Sequence, residues 1–151
     1  LHDALPIYAI SIRPLNLSWR VFYENSDTAT SVNRVIIFRG KYENDVVPVI
    51  GDLLEYTSTS ILACTSPKTY DKRFKTKILY DKTFTLSPLG VDKSNIQFMS
   101  GVLKLNGHVN YDVSQTDGTD IEDGGIYMYV VSTHNTLTKQ TGNFRITYTD
   151  N

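Results

Sequence analysis

The sequence predicts an all-β fold, a sandwich of antiparallel strands in two sheets with one short helix. Threonine, valine and isoleucine make up 41 of the 151 residues, against four alanines. These β-branched side chains suit a pleated surface and lose rotamer freedom in a helix. Apolar and polar residues also alternate in several segments with the two-residue period of half-buried strands. At 151 residues the chain fits one domain that can bury a core without disulfide bonds.

Two strands are predicted in the first forty residues. In residues 15–23 apolar side chains alternate with polar ones, which indicates a strand with one buried face. The apolar positions are Leu15, Leu17, Trp19, Val21 and Tyr23. Residues 24–31 read as a polar loop. Residues 34–39 contain a continuous apolar run, as expected for a strand with both faces covered.

Residues 48–56 are the one predicted helix. Pro48 suits the first helical turn, and Val49, Leu53 and Tyr56 fall near one helical face. Residues 57–70 are rich in serine and threonine, so we expect an extended connection there.

A basic strand at residues 73–86 is the most informative segment, and a turn-rich loop follows it at 87–95. Its alternation places Phe74, Thr76, Ile78 and Tyr80 on one face and Arg73, Lys75 and Lys77 on the other. Five of the fifteen basic residues fall within residues 72–82, whereas the formal net charge of the chain is −1. A polyanion site would therefore be local. Two interpretations stay open: a solvated sheet face, or a β-surface that contacts a polyanion.

The second half of the chain contains the clearest turn signal. Asn106-Gly107, between the strand-like residues 102–105 and 108–111, predicts a β-hairpin because both residues accept positive φ. The remaining elements are a polar loop at 114–125, a buried strand at 126–131 and a last strand over 144–148.

Seven or eight strands in one domain fit a jelly roll or an immunoglobulin-like sandwich, and periodicity does not separate the two. In either fold the side chains at inward positions should form the core. The predicted core residues are Leu17, Trp19, Ile37, Phe74, Ile78, Phe84, Met128, Val130, Phe144 and Ile146.

The motifs that usually carry catalysis are missing from the sequence. His2, His108 and His134 form no metal-binding pair, and Cys64 stands alone, so zinc sites and the common nucleophile arrangements lack their residues. We expect Cys64 to be a small buried residue and His108 to be solvated. We therefore predict no enzymatic activity, no cofactor and no metal.

An acidic cluster offers the one alternative to that prediction. Asp117, Asp120, Glu122 and Asp123 could supply the carboxylate oxygens that Ca²⁺ prefers. Their spacing departs from that of an EF-hand, since other residue types occupy two ligand positions. We interpret the cluster as a solvated loop.

Residues 1–7 are what the end of a common sequencing-library adapter encodes, so we interpret them as non-native. Residues 8–151 would then be a single domain whose natural N-terminal arm is missing. No apolar run approaches the roughly 20 residues of a transmembrane helix, so we expect a soluble protein.

Several segments, taken in order, resemble the capsid proteins of circular Rep-encoding single-stranded DNA (CRESS-DNA) viruses, which are similar to satellite tobacco necrosis virus-type single jelly-roll coat proteins. The resemblance covers the chain from Ile12 onward. Its most specific parts are Tyr80-Asp81-Lys82-Thr83-Phe84-Thr85-Leu86 and the ending Tyr148-Thr149-Asp150-Asn151. The other matching segments are residues 33–38, 48–54, 73–75, 78–79, 104–106, 125–132 and 145–147.

This resemblance implies an eight-stranded single jelly roll that self-assembles into an icosahedral shell around single-stranded DNA, in the virion and in the host cell during assembly. It implies two partners, further copies of the chain and the genome, the latter bound mainly through a basic N-terminal arm. Within the chain, the predicted nucleic-acid contacts are Arg73, Lys75, Lys77, Arg13 and Arg20.

A carbohydrate- or ligand-binding β-sandwich module is the alternative function. The ten tyrosines and Trp19 would allow sugars to stack on aromatic rings, although Trp19 falls in the core register of its strand.

Overall fold

The protein folds as a β-sandwich of two antiparallel sheets, which confirms the predicted fold class. The computed structural model describes residues 10–40, 48–69, 76–90, 95–111, 121–133 and 138–150. The strands in these ranges are β1 (Ile10–Asn25), β2 (Ser31–Gly40), β3 (Thr76–Leu86), β4 (Ile96–Lys104), β5 (Val109–Tyr111), β6 (Ile121–Asp123), β7 (Gly125–Ser132) and β8 (Thr138–Asp150).

The first sheet is built around β1. Strand β4 and the short β5 pair along one edge of β1, and β8 pairs along the other. The alternation predicted for this strand is present: Leu17, Trp19, Val21 and Tyr23 are buried. Their polar and apolar neighbours at the intervening positions face the opposite side of the sheet.

The second sheet places β2 between β3 and β7. Residues 33–38 of β2 are all buried, which confirms the prediction that both faces of this strand are covered. On the inner side, Val35 and Ile37 pack against the first sheet. On the outer side, Ile36 and Phe38 pack against a segment that connects β2 to β3.

Aromatic pairs join the two sheets across the core. Trp19 meets Tyr80 of β3 edge to face, with ring centroids 5.1 Å apart. Tyr23 meets Phe84 at the same distance, 5.1 Å. Burial raises the pKa of the Tyr23 hydroxyl to about 12, so this side chain stays neutral in the core.

The helix lies later in the chain than predicted. Residues 48–56 hold only a 3₁₀ turn, Ile50–Asp52, and the α-helix of the described ranges is α1, Ser60–Thr65. The expectation of an extended connection over 57–70 was therefore wrong. Thr59 explains the position, because its side chain accepts a hydrogen bond from the Leu62 amide (3.2 Å) and caps the helix.

The predicted hairpin at Asn106-Gly107 is also wrong. Strands β4 and β5 do not pair with each other, because both pair with the same edge of β1 and run in the same direction. Gly107 has the expected positive φ of 89°. Arg39 of β2 donates hydrogen bonds to the carbonyl oxygens of Asn106, His108 and Gly124, so a side chain from the second sheet holds the turn as a bulge.

The predicted core is confirmed at Leu17, Trp19 and Ile37, which are buried. Four more predicted residues are half-buried and pack against the two buried clusters: Ile78, Phe84, Met128 and Val130. Phe74 lies outside the described residues. Phe144 and Ile146 contradict the prediction, because they are 45% and 46% exposed. Their strand, β8, is at an edge of the first sheet, where they line an open seam beside β7.

A buried ion pair fixes the outer side of the second sheet. Arg34 of β2 donates to both carboxylate oxygens of Asp81, at 2.8 Å each. Its remaining nitrogen donates to the carbonyl oxygens of Ala63 (3.2 Å) and Ser66 (2.6 Å), which tethers the end of α1. The hydrogen bond from Arg34 holds the pKa of the Asp81 carboxyl below its usual value.

Cys64 of α1 is buried, as predicted. Its Sγ lies 3.5 Å from the carbonyl oxygen of Val32, and burial raises the pKa of the thiol.

Replacing Trp19 with alanine should cost about 3–5 kcal/mol of the free energy of unfolding, because a large side chain leaves a closed core. Phe144→Ala is the matched control. It removes an aromatic ring that is 45% exposed, so it should cost only about 1 kcal/mol. Urea unfolding of both variants tests this, and equal losses would show that the seam beside β8 is closed in solution.

Asp81→Asn should destabilise the protein by about 3 kcal/mol at neutral pH, because it leaves Arg34 buried without its carboxylate. The folded-state pKa of Asp81 lies below its unfolded value of about 3.9. The stabilisation is therefore complete above that unfolded value and is lost as the pH falls through the folded value. Unfolding curves from pH 7 to pH 2 should show the two proteins converging. Lys68→Gln, at an exposed amine 3.9 Å from Asp81, should change stability by less than about 1 kcal/mol.

Candidate nucleic-acid interface

The structure separates the sequence-predicted contact residues. Arg13 and Arg20 lie on β1 of the first sheet, and both are exposed. Lys77 is exposed on β3 of the second sheet, directly opposite Arg39. Arg73 and Lys75 lie outside the described residues. The described part of the predicted basic strand therefore does not share a surface with the two arginines of β1.

The solvent side of the first sheet, which we call the outer face, follows from the strand register. Residues directly opposite in an antiparallel pair point to the same side of the sheet. Arg20 is opposite Ser100 of β4 on one edge and opposite Asn143 of β8 on the other. Along β1, the residues of the outer face therefore alternate with the buried residues Leu17, Trp19, Val21 and Tyr23. The residues of β4 and β8 that are opposite them belong to the same face.

This face is basic. Its basic residues are Arg13, Arg20, Lys104, Lys139 and Arg145, all exposed. A bulge between Pro14 and Asn16 shifts the register with β8 by one residue, which brings Arg13 onto the outer face. Among the described outer-face positions of β1, β4 and β8, Glu24 is the one acidic residue. A protein with a formal net charge of −1 thus carries a local positive surface.

Two phenylalanines add an aromatic platform to the outer face. Phe22 and Phe98 are opposite each other on β1 and β4, with ring centroids 5.0 Å apart. They are 51% and 47% exposed, so their rings reach solvent. Exposed aromatic rings beside basic side chains are the usual means of binding single-stranded nucleic acid without reading its sequence.

A depression of about 370 Å³ lies between Arg20 and Arg145 on this face. Arg20 and Arg145 are diagonal neighbours across β1 and β8, and Ser18, Ser100 and Asn143 complete the polar rim. Guanidinium groups donate paired hydrogen bonds to phosphate oxygens, so this depression has the chemistry of a phosphate site.

Gly101 belongs to the packing beneath that depression. A Cβ at Gly101 would lie 2.9 Å from Cε2 of Trp19 and nearer still to Cζ2 and Cη2 of the same ring. Trp19 therefore fills the space that a side chain at position 101 would occupy, which ties the outer face to the core.

Sequence reasoning missed Lys104, Lys139, Arg145 and the Phe22–Phe98 pair. The alternation of β1 in the sequence already placed Phe22 and Arg20 on the same side. The positions of β4 and β8 beside them depend on a register that no local pattern contains.

Other reactive residues do not form a site in the described part of the chain. His108 is exposed and lies 3.2 Å from the Ser11 hydroxyl. No cluster of three metal-ligating side chains is present in the described ranges. Residues 114–120 of the acidic loop lie outside them. No helix within the described ranges has both the length and the apolar content that crossing a membrane requires.

No protein-family model matches the chain, and no characterised protein matches it.

Arg20→Gln combined with Arg145→Gln should weaken single-stranded DNA binding at all sequences tested. Each lost phosphate contact should reduce the slope of log K against log salt by about 0.7, hence by about 1.4 for two contacts. Fluorescence anisotropy with a labelled oligonucleotide across a salt series measures both quantities.

The matched control for that variant removes two charges from the second sheet, Lys77→Gln with Lys82→Gln. Both lysines are exposed on β3. If the control lowers the slope and the arginine variant does not, the basic strand rather than the outer face contacts DNA.

Proposed function

We propose that this chain is a capsid subunit that self-assembles into a small icosahedral shell around single-stranded DNA. The observation that carries the proposal is the outer face, where arginines and lysines surround the exposed Phe22–Phe98 pair on a rigid sheet. Such a surface binds phosphates and stacks bases without sequence preference, which is what packaging a genome requires. The resemblance of several segments to capsid proteins of CRESS-DNA viruses supports the same function.

In this proposal the outer face of the first sheet lines the shell interior. The electrostatic attraction there comes from a handful of side chains, so binding is weak and strongly salt-dependent. The virion, and the host cell during assembly, are the places where the protein acts.

The opposite side of the sandwich supplies apolar surface for contacts between subunits. Ile61 and Leu62 of α1 are 66% and 43% exposed, and Val49 is 61% exposed. Exposed apolar residues grouped on one side of a domain are typical of surfaces that meet other proteins. We propose that the described part of residues 57–70, which includes α1, lies at subunit contacts or on the shell surface. The same prediction for 114–125 falls mainly on residues outside the described ranges.

A structural rather than enzymatic role fits the reactive groups that the structure describes. Arg34 and Asp81 form an ion pair with each other, and Arg34 also donates a hydrogen bond to the backbone at the end of α1. The Cys64 thiol is buried, and burial raises its pKa, which disfavours the nucleophilic thiolate.

The carbohydrate-module alternative is less well supported, because Trp19 is only 5% exposed and its ring is not open for a sugar to stack on. We therefore place it second.

The protein mixed with single-stranded DNA at low salt should form discrete large particles. Sedimentation velocity should show one fast boundary, and negative-stain electron microscopy should show closed shells. Arg20→Gln with Arg145→Gln is the control, and its particles should contain less DNA by absorbance ratio. A protein that stays monomeric at every salt and pH would favour the binding-module alternative.

A further inference from the structure

Strand β8 presents a long free edge. It spans 13 residues, and within the described part of the chain it pairs with β1 alone. Every described side chain from Lys139 to Thr149 is exposed. An exposed edge strand of this length offers a row of backbone donors and acceptors to another strand.

The centre of the inner side of β8 is apolar. Phe144 and Ile146 face the seam between the sheets, where they line a depression of about 200 Å³ with Leu17, Ile37 and Met128. Nearly half of each of these two side chains is in contact with solvent. Within the described ranges, the edge therefore combines backbone groups that no strand pairs with and apolar side chains, as surfaces that associate do.

We propose that β8 pairs antiparallel with β8 of a second copy, about a two-fold axis at Phe144. This contact rests on the self-assembly proposed above and names one place where two copies meet. Phe144 is the midpoint of Thr138–Asp150, so all 13 residues pair only when it is opposite its own counterpart. An isologous contact of this kind needs one self-complementary edge.

The side chains of β8 fit this register. Lys139 is then opposite Thr149 of the second copy, and Arg145 is opposite Asn143, so no like charges are directly opposed. Phe144 pairs with Phe144 across the axis, an aromatic cross-strand pair. Moving the axis one residue to Arg145 would oppose two arginines.

Pairing also joins the two outer faces into one basic surface. A two-fold axis perpendicular to the sheet keeps both outer faces on the same side. The two Arg145 residues become diagonal neighbours, about 7–8 Å apart, and repel each other weakly. Phosphate bound between them removes that repulsion, so single-stranded DNA should favour the paired state.

Cysteine cross-linking tests the register. In a Cys64→Ala background, Phe144→Cys should give a covalent dimer with a short bifunctional maleimide. Lys139→Cys is the matched control on the same strand, since its two copies would be about 34 Å apart, and it should give at least about tenfold less dimer. Equal cross-linking of both variants overturns the register.

A second variant keeps Phe144, so it tests the same contact even if the loss of Phe144 impairs folding. Thr141→Cys with Thr147→Cys places two exposed residues opposite each other across the axis, whereas within one chain they are about 20 Å apart. This variant should also cross-link between copies. An oligonucleotide should raise the dimer yield of both reporters at low salt, and an unchanged yield overturns the coupling to DNA.

The outcomes separate this contact from the proposed function. Particles that form without either cross-link overturn the β8 contact and leave the capsid function standing. Cross-linked dimers that never form particles overturn the capsid function and support the contact. Absence of both particles and cross-links overturns both.

Discussion

Strand β1 is the constraint on which the rest of the structure depends. It is the central strand of the first sheet and is paired along both edges over most of its 16 residues. One of its faces supplies Leu17, Trp19, Val21 and Tyr23 to the core, and the other carries Arg20 and Phe22. A slip of one residue would exchange the two faces, so burial of Trp19 also fixes where Arg20 points.

The strands of the two sheets are covered to different extents. Strand β2 is covered on its inner side by the core and on its outer side by the segment that carries α1. The Arg34–Asp81 pair holds that covering segment, because the same guanidinium group reaches the last carbonyl groups of the helix. Nothing comparable among the described residues covers the inner side of β8, so the sandwich is closed at β2 and open at the seam.

This asymmetry links the fold to the proposed function. Among the described strands, the first sheet has a free edge at β8, and β8 also carries part of the basic outer face. A surface for nucleic acid and a contact between subunits would then be adjacent. Adjacent sites can be coupled through charge alone, because bound phosphate reduces the repulsion that pairing of two basic sheets creates.

The sequence by itself determined the fold class, the strands β1 and β2 and the burial of Trp19 and Cys64. These features depend on local alternation and on the β-branched composition, and neither requires a knowledge of neighbours.

Three other features were decided by the tertiary structure. Asn106-Gly107 forms a bulge rather than a hairpin because Arg39 of another sheet binds its carbonyl groups. Phe144 alternates like a core residue but is half-exposed, because exposure depends on whether a second sheet covers the strand. The outer face exists because the register brings Arg145 beside Arg20, although they are far apart in the chain. Periodicity gives the side of a strand on which a residue lies, but only the packing of strands and sheets decides what lies next to it.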